Sequence, residues 1–205
     1  MNGEFERFMK ENDLTHVIGF SGGSDKQKSQ VQSILSDSMV YLKNYPVAIL
    51  TGGTCWGIPN YATEIAKDYG LKTIGVMPTR GVKYETNGLD LKLVAEPKFA
   101  SSEYGDESEI FAKIVNGVEI IGGSAGTAIE TFHILKINDR IIDYAKKGKS
   151  DEVPKIIAPI KGIAGFSSEI YKLGLCEKMP ECMPDQPIYE GGDAAKFILN
   201  RLGLY

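Results

Sequence analysis

Basic residues are scarce where a nucleic-acid binder would need them. The 205-residue chain holds 23 Lys and Arg against 27 Asp and Glu, a net charge of −4. No block of Lys and Arg is dense enough to track a phosphate backbone, so nucleic acid is not an expected partner. Cysteine is rare too: Cys55, Cys176 and Cys182 are an odd count without CxxC spacing. That argues against a disulfide framework or a zinc site and fits the reduced thiols of a cytoplasmic protein. No apolar run approaches the ~20 residues of a membrane helix. The first residues, Met1 to Phe8, are charged and mixed, unlike a signal peptide. GxGxxG, GxxxxGK[ST], HExxH and GxSxG are all missing, which removes the ordinary dinucleotide fingerprint, the P-loop, the zinc protease and the serine hydrolase. Neither a metal nor a resident cofactor is implied.

Glycine, by contrast, is plentiful, with 23 residues, and much of it falls in three turns that each follow an apolar strand candidate. After a short amphipathic helix over 3–11, residues 15–20 read as a strand running into Ser21-Gly22-Gly23-Ser24. A helix over 26–43 follows, with Val31, Ile34, Leu35, Met39 and Leu42 on one face. The strand 47–50 ends in a second turn, Thr51 to Pro59, and a helix over 60–69 stops at Gly70. The strand 72–77 closes at Pro78; residues 79–90 read as irregular, with a weaker strand over 89–94. A loop, a helix over 106–116 and a third strand–turn unit come next. Its helix is expected over 127–147, ahead of a strand at 155–159. The remainder reads as a turn at 162–165, a short helix from Ser167, a loop over 176–187, a short strand at 188–189 and a terminal helix through Leu202. Alternating strands and helices predict an α/β fold: a Rossmann-like three-layer α/β/α arrangement around a mainly parallel sheet, in one domain over 1–205. Ligands of such sheets bind beyond the carboxyl ends of the strands, where strand order reverses. All three turns follow strands, so all three are expected on that edge.

The third unit is the most informative. Gly117 to Ile121 is apolar apart from Glu119, Gly122 and Gly123 form the turn, and Ser124-Ala125-Gly126-Thr127 opens the helix. Amides of a first helical turn lack partners within the helix, and with the helix dipole they make an anion site. Glu130 then lies about one turn inside, facing the rest of whatever binds.

These residues carry a family resemblance. Gly123-Ser124-Ala125-Gly126-Thr127-Ala128-Ile129-Glu130 resembles the PGGxGTxxE signature of the LONELY GUY family, phosphoribohydrolases that cleave nucleoside 5′-monophosphates and are often mislabelled lysine decarboxylases. Leu50 to Pro59, with Ala62, Ala66 and Gly70, is similar to that family's second glycine segment; Gly75-Val76-Met77-Pro78 matches its GVxP, and Ser21 to Ser24 sits at its first small-residue turn. The resemblance spans about residues 15–160. It implies a nucleotide fold, often dimeric, shared with molybdenum-cofactor carriers and nucleotide-sensing modules. It also implies Glu130 as the catalytic carboxylate. Ser21, Gly22, Gly52, Gly53, Thr54, Gly57, Gly122, Gly123, Ser124, Gly126 and Thr127 are then the phosphate- and nucleotide-binding positions.

The departures are specific. Gly122 stands where the family has Pro, and Ser124 where it has its second Gly. The hydrolases carry an Arg-Lys pair ahead of the signature, whereas residues 96–117 contain no Arg and only Lys98 and Lys113. The chain's arginines are Arg7, Arg80, Arg140 and Arg201; Arg80, just past Pro78, and Lys98 are the candidate substitutes. Cleaving an N-glycosidic bond passes through an oxocarbenium-like state that a carboxylate stabilises, and an arginine would hold the phosphate or the leaving group. Trp56 is a candidate stacking surface for a base or a packed residue. Asp106 and Glu107, in an acidic stretch that otherwise reads as a solvated helix start, are candidate ribose contacts, and His133 is expected at the surface. The expected partner is a nucleoside monophosphate or related phosphate-bearing small molecule, with self-association into a homodimer or higher oligomer. The alternative is a non-catalytic carrier or sensor.

Overall fold

The computed structural model describes residues 2–23 and 28–205. Ser24 of the first turn, and residues 26–27 of the helix expected over 26–43, lie outside the described residues. In chain order the elements are α1 (Asn2–Glu11), β1 (His16–Gly22), α2 (Lys28–Leu42), β2 (Val47–Thr51), α3 (Gly57–Asp68) and β3 (Lys72–Pro78). A 3₁₀ segment (Thr79–Tyr84) leads to β4 (Leu91–Ala95), α4 (Ser108–Ile114), β5 (Gly117–Ile121), α5 (Ala125–Lys146) and β6 (Ile156–Ile160). The chain finishes with α6 (Phe166–Lys172), α7 (Leu175–Lys178) and α8 (Gly191–Arg201).

The six strands form one parallel sheet in the order β4-β3-β2-β1-β5-β6. β2, β5 and β6 are buried at every position. That is why these strands read as continuous apolar runs rather than alternations: helices cover both faces. The chain winds outward from β1 through β4, then returns to lay β5 on the other side of β1, with Ile18 opposite Gly117 and Gly22 opposite Ile121. Strand order therefore reverses between β1 and β5. On one face, α2 turns Val31, Ile34, Leu35, Met39 and Leu42 into the core and packs against α8. Gly191 opens α8 where a side chain would strike the Ile34 carbonyl and the Ser38 hydroxyl. α4 and α5 pack together.

The sequence reading and the structure differ in a few elements. The stretch 79–90 contains a 3₁₀ turn, the expected loop at 176–187 begins with the short α7, and the strand expected at 188–189 reduces to a single bridge from Ile188 to Ile160. Pro159 sits within β6, an edge strand, where a missing N–H is tolerated.

Glu119 is the unexpected core residue. It lies in the middle of β5 with no exposed surface. Its Oε2 is 2.8 Å from Ser38 Oγ, which is 3.0 Å from the Ile34 carbonyl. Burial pushes its carboxyl up to about 8, against the smaller opposing effect of the Ser38 bond. Ser38 Oγ donates towards Glu119 Oε2 with the Ile34 carbonyl also within its reach, and Oε1 has no partner among the described residues, so burial leaves the carboxyl neutral at ordinary pH. Folding therefore holds a proton that the unfolded chain, with its ordinary carboxyl near 4.5, releases. The stability tied to that proton is complete below the unfolded value and is lost as pH rises towards about 8, with a limiting slope of about 1.4 kcal/mol per pH unit. Glu119→Gln keeps a side-chain oxygen to accept from Ser38 and cannot titrate. Denaturant melts between pH 5 and 8 are expected to show a clearly shallower loss of stability in this variant than in the parent chain; equal slopes would refute the buried proton.

Candidate ligand cleft

The three glycine turns meet on one rim of the sheet. They enclose a cleft of about 380 Å³ beyond the carboxyl ends of β1, β2 and β5, a size ordinary for a small-molecule site. β1 contributes Phe20, Ser21 and Gly22; the β2–α3 turn contributes Gly52, Thr54, Trp56 and Pro59. Ser124, Gly126, Thr127 and Glu130 come from the β5–α5 turn and the first turns of α5. The far wall is Pro78 with Tyr104 and Glu107, which precede α4.

The turn geometry follows from steric exclusion. Any Cβ on Gly22 would run into the Ile121 carbonyl, and one on Gly23 would lie 2.9 Å from Gly123 Cα. Gly123 has φ of +92° and faces Thr127 so closely that a side chain would collide with it. These close approaches turn α5 so that its N-terminus opens on the cleft. Ser124 occupies the N-cap but makes no side-chain capping bond. The first intrahelical acceptor of the turn is its carbonyl, bonded by Ala128 N–H at 3.0 Å. The amides ahead of Ala128 therefore remain available to an anion.

A downstream segment braces the turn. Gly122 N–H donates to Ser167 Oγ at 2.9 Å, while Phe166 and Ser167 N–H donate to the carbonyls of Gly123 and Gly122, both at 2.9 Å. Gly122 and Gly123 consequently line a neighbouring hollow with Gly165 rather than the cleft itself. Gly53 also stands behind the cleft wall: its φ of +66° and its packing against Met77 and Gly75 let the β2 turn close on β3. Gly57, with φ of +55°, is the buried first residue of α3. These four candidates shape the turns, whereas Ser21, Gly22, Gly52, Thr54, Ser124, Gly126, Thr127 and Glu130 face the cleft.

Two carboxyl groups sit in the cleft. Glu130 is half-buried and accepts a hydrogen bond from Ser21 Oγ. Burial pushes its pKa up to about 7, helped by the nearby charge of Glu107 and opposed by the Ser21 bond. Glu107 is likewise shifted upward, by burial first and also by Asp106, while hydrogen bonds from its own backbone and from Gly105 oppose the shift. Both side chains line the cleft, and the charge of Glu107 is felt at Glu130. Asp106 instead accepts the Glu103 N–H at 3.0 Å.

No lysine or arginine is among the described residues lining the cleft. Arg80 stands at the rim, paired with Glu103 and stacked 5.1 Å from the Tyr104 ring centre, so it reaches the cleft only through Tyr104. Lys98 is tied to Glu109, which also pairs with Lys113. His133 is exposed. Trp56, 47% exposed, lines the cleft with the Tyr84 ring behind it at 4.6 Å between centres. Tyr104 was not singled out in the sequence; only the fold brings it to this wall.

The chain belongs to the SLOG cluster4 family, whose model matches residues 15–161. This agrees with the superfamily-level resemblance read from the glycine segments. No curated protein matches. Among solved structures the chain is similar to the structural-genomics protein TM1055, with 16% identity, a TM-score of 0.66, and coverage of 91% of this chain and 99% of that one. It is also similar to a molybdenum cofactor carrier protein from Chlamydomonas reinhardtii, with 20% identity, a TM-score of 0.65, and coverage of 92% and 99%. DNA processing protein A from Helicobacter pylori, described for its single-stranded DNA binding mode, matches at 16% identity and a TM-score of 0.55, over 96% of this chain and 84% of that one. At such identities the likeness is one of fold. Among the described residues no helix is long and apolar enough to cross a membrane.

The Ser21–Glu130 contact gives a direct test of the site's electrostatics. Ser21→Ala removes the donor that favours the carboxylate, so the Glu130 pKa is expected to rise above about 7. Carboxyl ¹³C chemical shifts followed through a pH titration of the two proteins would show this; an unchanged or lowered midpoint would mean that the bond does not hold the carboxylate.

Proposed function

We propose that this chain is a nucleotide-binding protein that takes a nucleoside 5′-monophosphate, or a closely related phosphate-bearing small molecule, and hydrolyses its N-glycosidic bond. The observation that carries this reading is the α5 N-terminus, which opens without a side-chain cap onto a cleft that also holds Glu130 about one helical turn away. The phosphate sits against Ser124, Gly126 and Thr127. Gly22 and Gly52 admit the sugar without a side chain in the way, and Thr54 and Ser21 supply hydroxyls beside it. In the reaction the bond from the anomeric carbon to the base nitrogen breaks and its electron pair leaves with the base, which takes up a proton. Glu130 stabilises the oxocarbenium-like carbon and accepts a proton from the water that attacks it, giving free base and ribose 5-phosphate. A carboxyl with a pKa of about 7 exchanges protons readily at neutral pH.

A second reading, a non-catalytic carrier or sensor of a nucleotide or cofactor, is favoured by one observation: the described cleft lining contains no arginine. The similar Chlamydomonas protein is itself a molybdenum cofactor carrier. The rest of the reading extends what was expected of the sequence. The whole chain acts as one nucleotide-binding domain in the cytoplasm, with no nucleic-acid partner at a net charge of −4. It self-associates as a homodimer or higher oligomer, for which the exposed Ile129 and Phe132 of α5 offer apolar surface.

Incubating the protein with a panel of nucleoside monophosphates and measuring released base separates the two readings. Hydrolysis is expected to fall by about a hundredfold or more in Glu130→Gln. Tight binding with no base released would overturn the hydrolase and leave the carrier.

A further inference from the structure

Glu107 is the cleft residue that phosphate binding and bond cleavage leave unemployed. Its position is fixed by a tight turn. Gly105 N–H donates to Glu107 Oε2 at 2.8 Å, Ser108 N–H to the Gly105 carbonyl at 3.1 Å, and Phe111 N–H to the Glu107 carbonyl at 3.0 Å. A carboxylate held in this way presents acceptors and no donors when ionised. The groups that share the cleft sharpen its effect. Glu130 adds a second acceptor, while Trp56 offers a half-exposed indole supported from behind by Tyr84. Arg80, which stacks on Tyr104 of this wall, is committed to Glu103 and Tyr104.

With its phosphate on α5, a ligand must direct hydrogen-bond donors towards the two carboxyl groups of the lining, Glu130 and Glu107. Ribose hydroxyls serve Glu130. For Glu107 the ring edge decides. Uracil and xanthine direct carbonyl oxygens outward, and adenine pairs one amino donor with a ring acceptor. A 2-amino-4-oxopyrimidine edge carries an N–H and an amino group side by side, matching two carboxylate oxygens. We propose that Glu107, with Trp56 as the stacking surface, selects a ring bearing that edge, so that the ligand is a guanine-type or pterin-type monophosphate. This rests on the reading that the α5 N-terminus holds the phosphate.

Trp56 is the only tryptophan in the chain, so its fluorescence reports on ring stacking directly. The full chain would be titrated with GMP, IMP, XMP, AMP, UMP, guanosine and a phosphorylated pterin. IMP lacks the amino group and XMP replaces it with a carbonyl. GMP or the pterin is expected to bind about tenfold or more tighter than IMP and XMP, within the range for a bidentate pair, and to quench Trp56. Glu107→Gln is expected to bring GMP and XMP to similar affinity while leaving inorganic phosphate binding unchanged, which verifies that the variant's phosphate site is intact. Whichever of GMP and the pterin binds more tightly identifies the source of the edge. Equal affinities for GMP, IMP and XMP in the parent chain would overturn the proposal and leave the phosphate reading standing. So would a preference that survives Glu107→Gln. If no monophosphate binds, or guanosine binds as tightly as GMP, the phosphate reading itself falls and the proposal with it.

Discussion

Where β1 and β5 end side by side, the two chain segments come too close for side chains. Gly22 abuts the Ile121 carbonyl and Gly23 lies against Gly123. The rest of the cleft depends on this contact. Because strand order reverses between these strands, one connection leaves towards α2 and the other towards α5, and a gap opens between them. The glycine contact sets the direction in which α5 starts, and the α5 direction sets where Ser124, Gly126, Thr127 and Glu130 face. A methyl group at Gly123 would collide with Thr127 and disturb the cleft without touching a ligand.

The acidic residues show how one chemical group is put to different uses by its surroundings. Glu109, paired with Lys98 and Lys113 at the surface, is held down at about 2. Glu119, sealed between the sheet and α2, is pushed up to about 8. Glu130, on the cleft wall and bonded to Ser21, lies between them at about 7. Burial raises a carboxyl and paired cations lower it, and the fold delivers each residue to one regime or the other. The middle regime, in which both protonation states are populated near neutrality, falls in the cleft.

Much of this was legible in the sequence. Apolar runs ending in glycine gave the strands and their turns, and the rule that turns after parallel strands share an edge brought Ser21, Gly52 and Ser124 together before any coordinates. Separating the glycines that face the cleft from those that build it was not legible. Gly52 and Gly53 are adjacent and chemically identical, yet only the positive φ and the packing against Met77 and Gly75 assign Gly53 to the wall. Glu107 looked like part of a solvated acidic run because nothing local in the sequence marks its place in the cleft lining. Glu119 left a readable trace, a lone charge within an otherwise apolar strand, but its partner Ser38 is 81 residues distant and no local pattern joins them. The commitment of Arg80 to Glu103 and Tyr104 is likewise a tertiary fact.

The brace beneath the third turn lies outside the stretch that defines the family. The family match ends at residue 161, whereas Phe166 and Ser167 hold the Gly122–Gly123 peptide units from below through three hydrogen bonds. The ground on which an anion would rest is thus laid by a part of the chain with no share in the signature. Proteins with the same glycine motif and a different tail need not hold that turn at the same height or stiffness, so ligand preference can diverge among them with every motif residue left as it is.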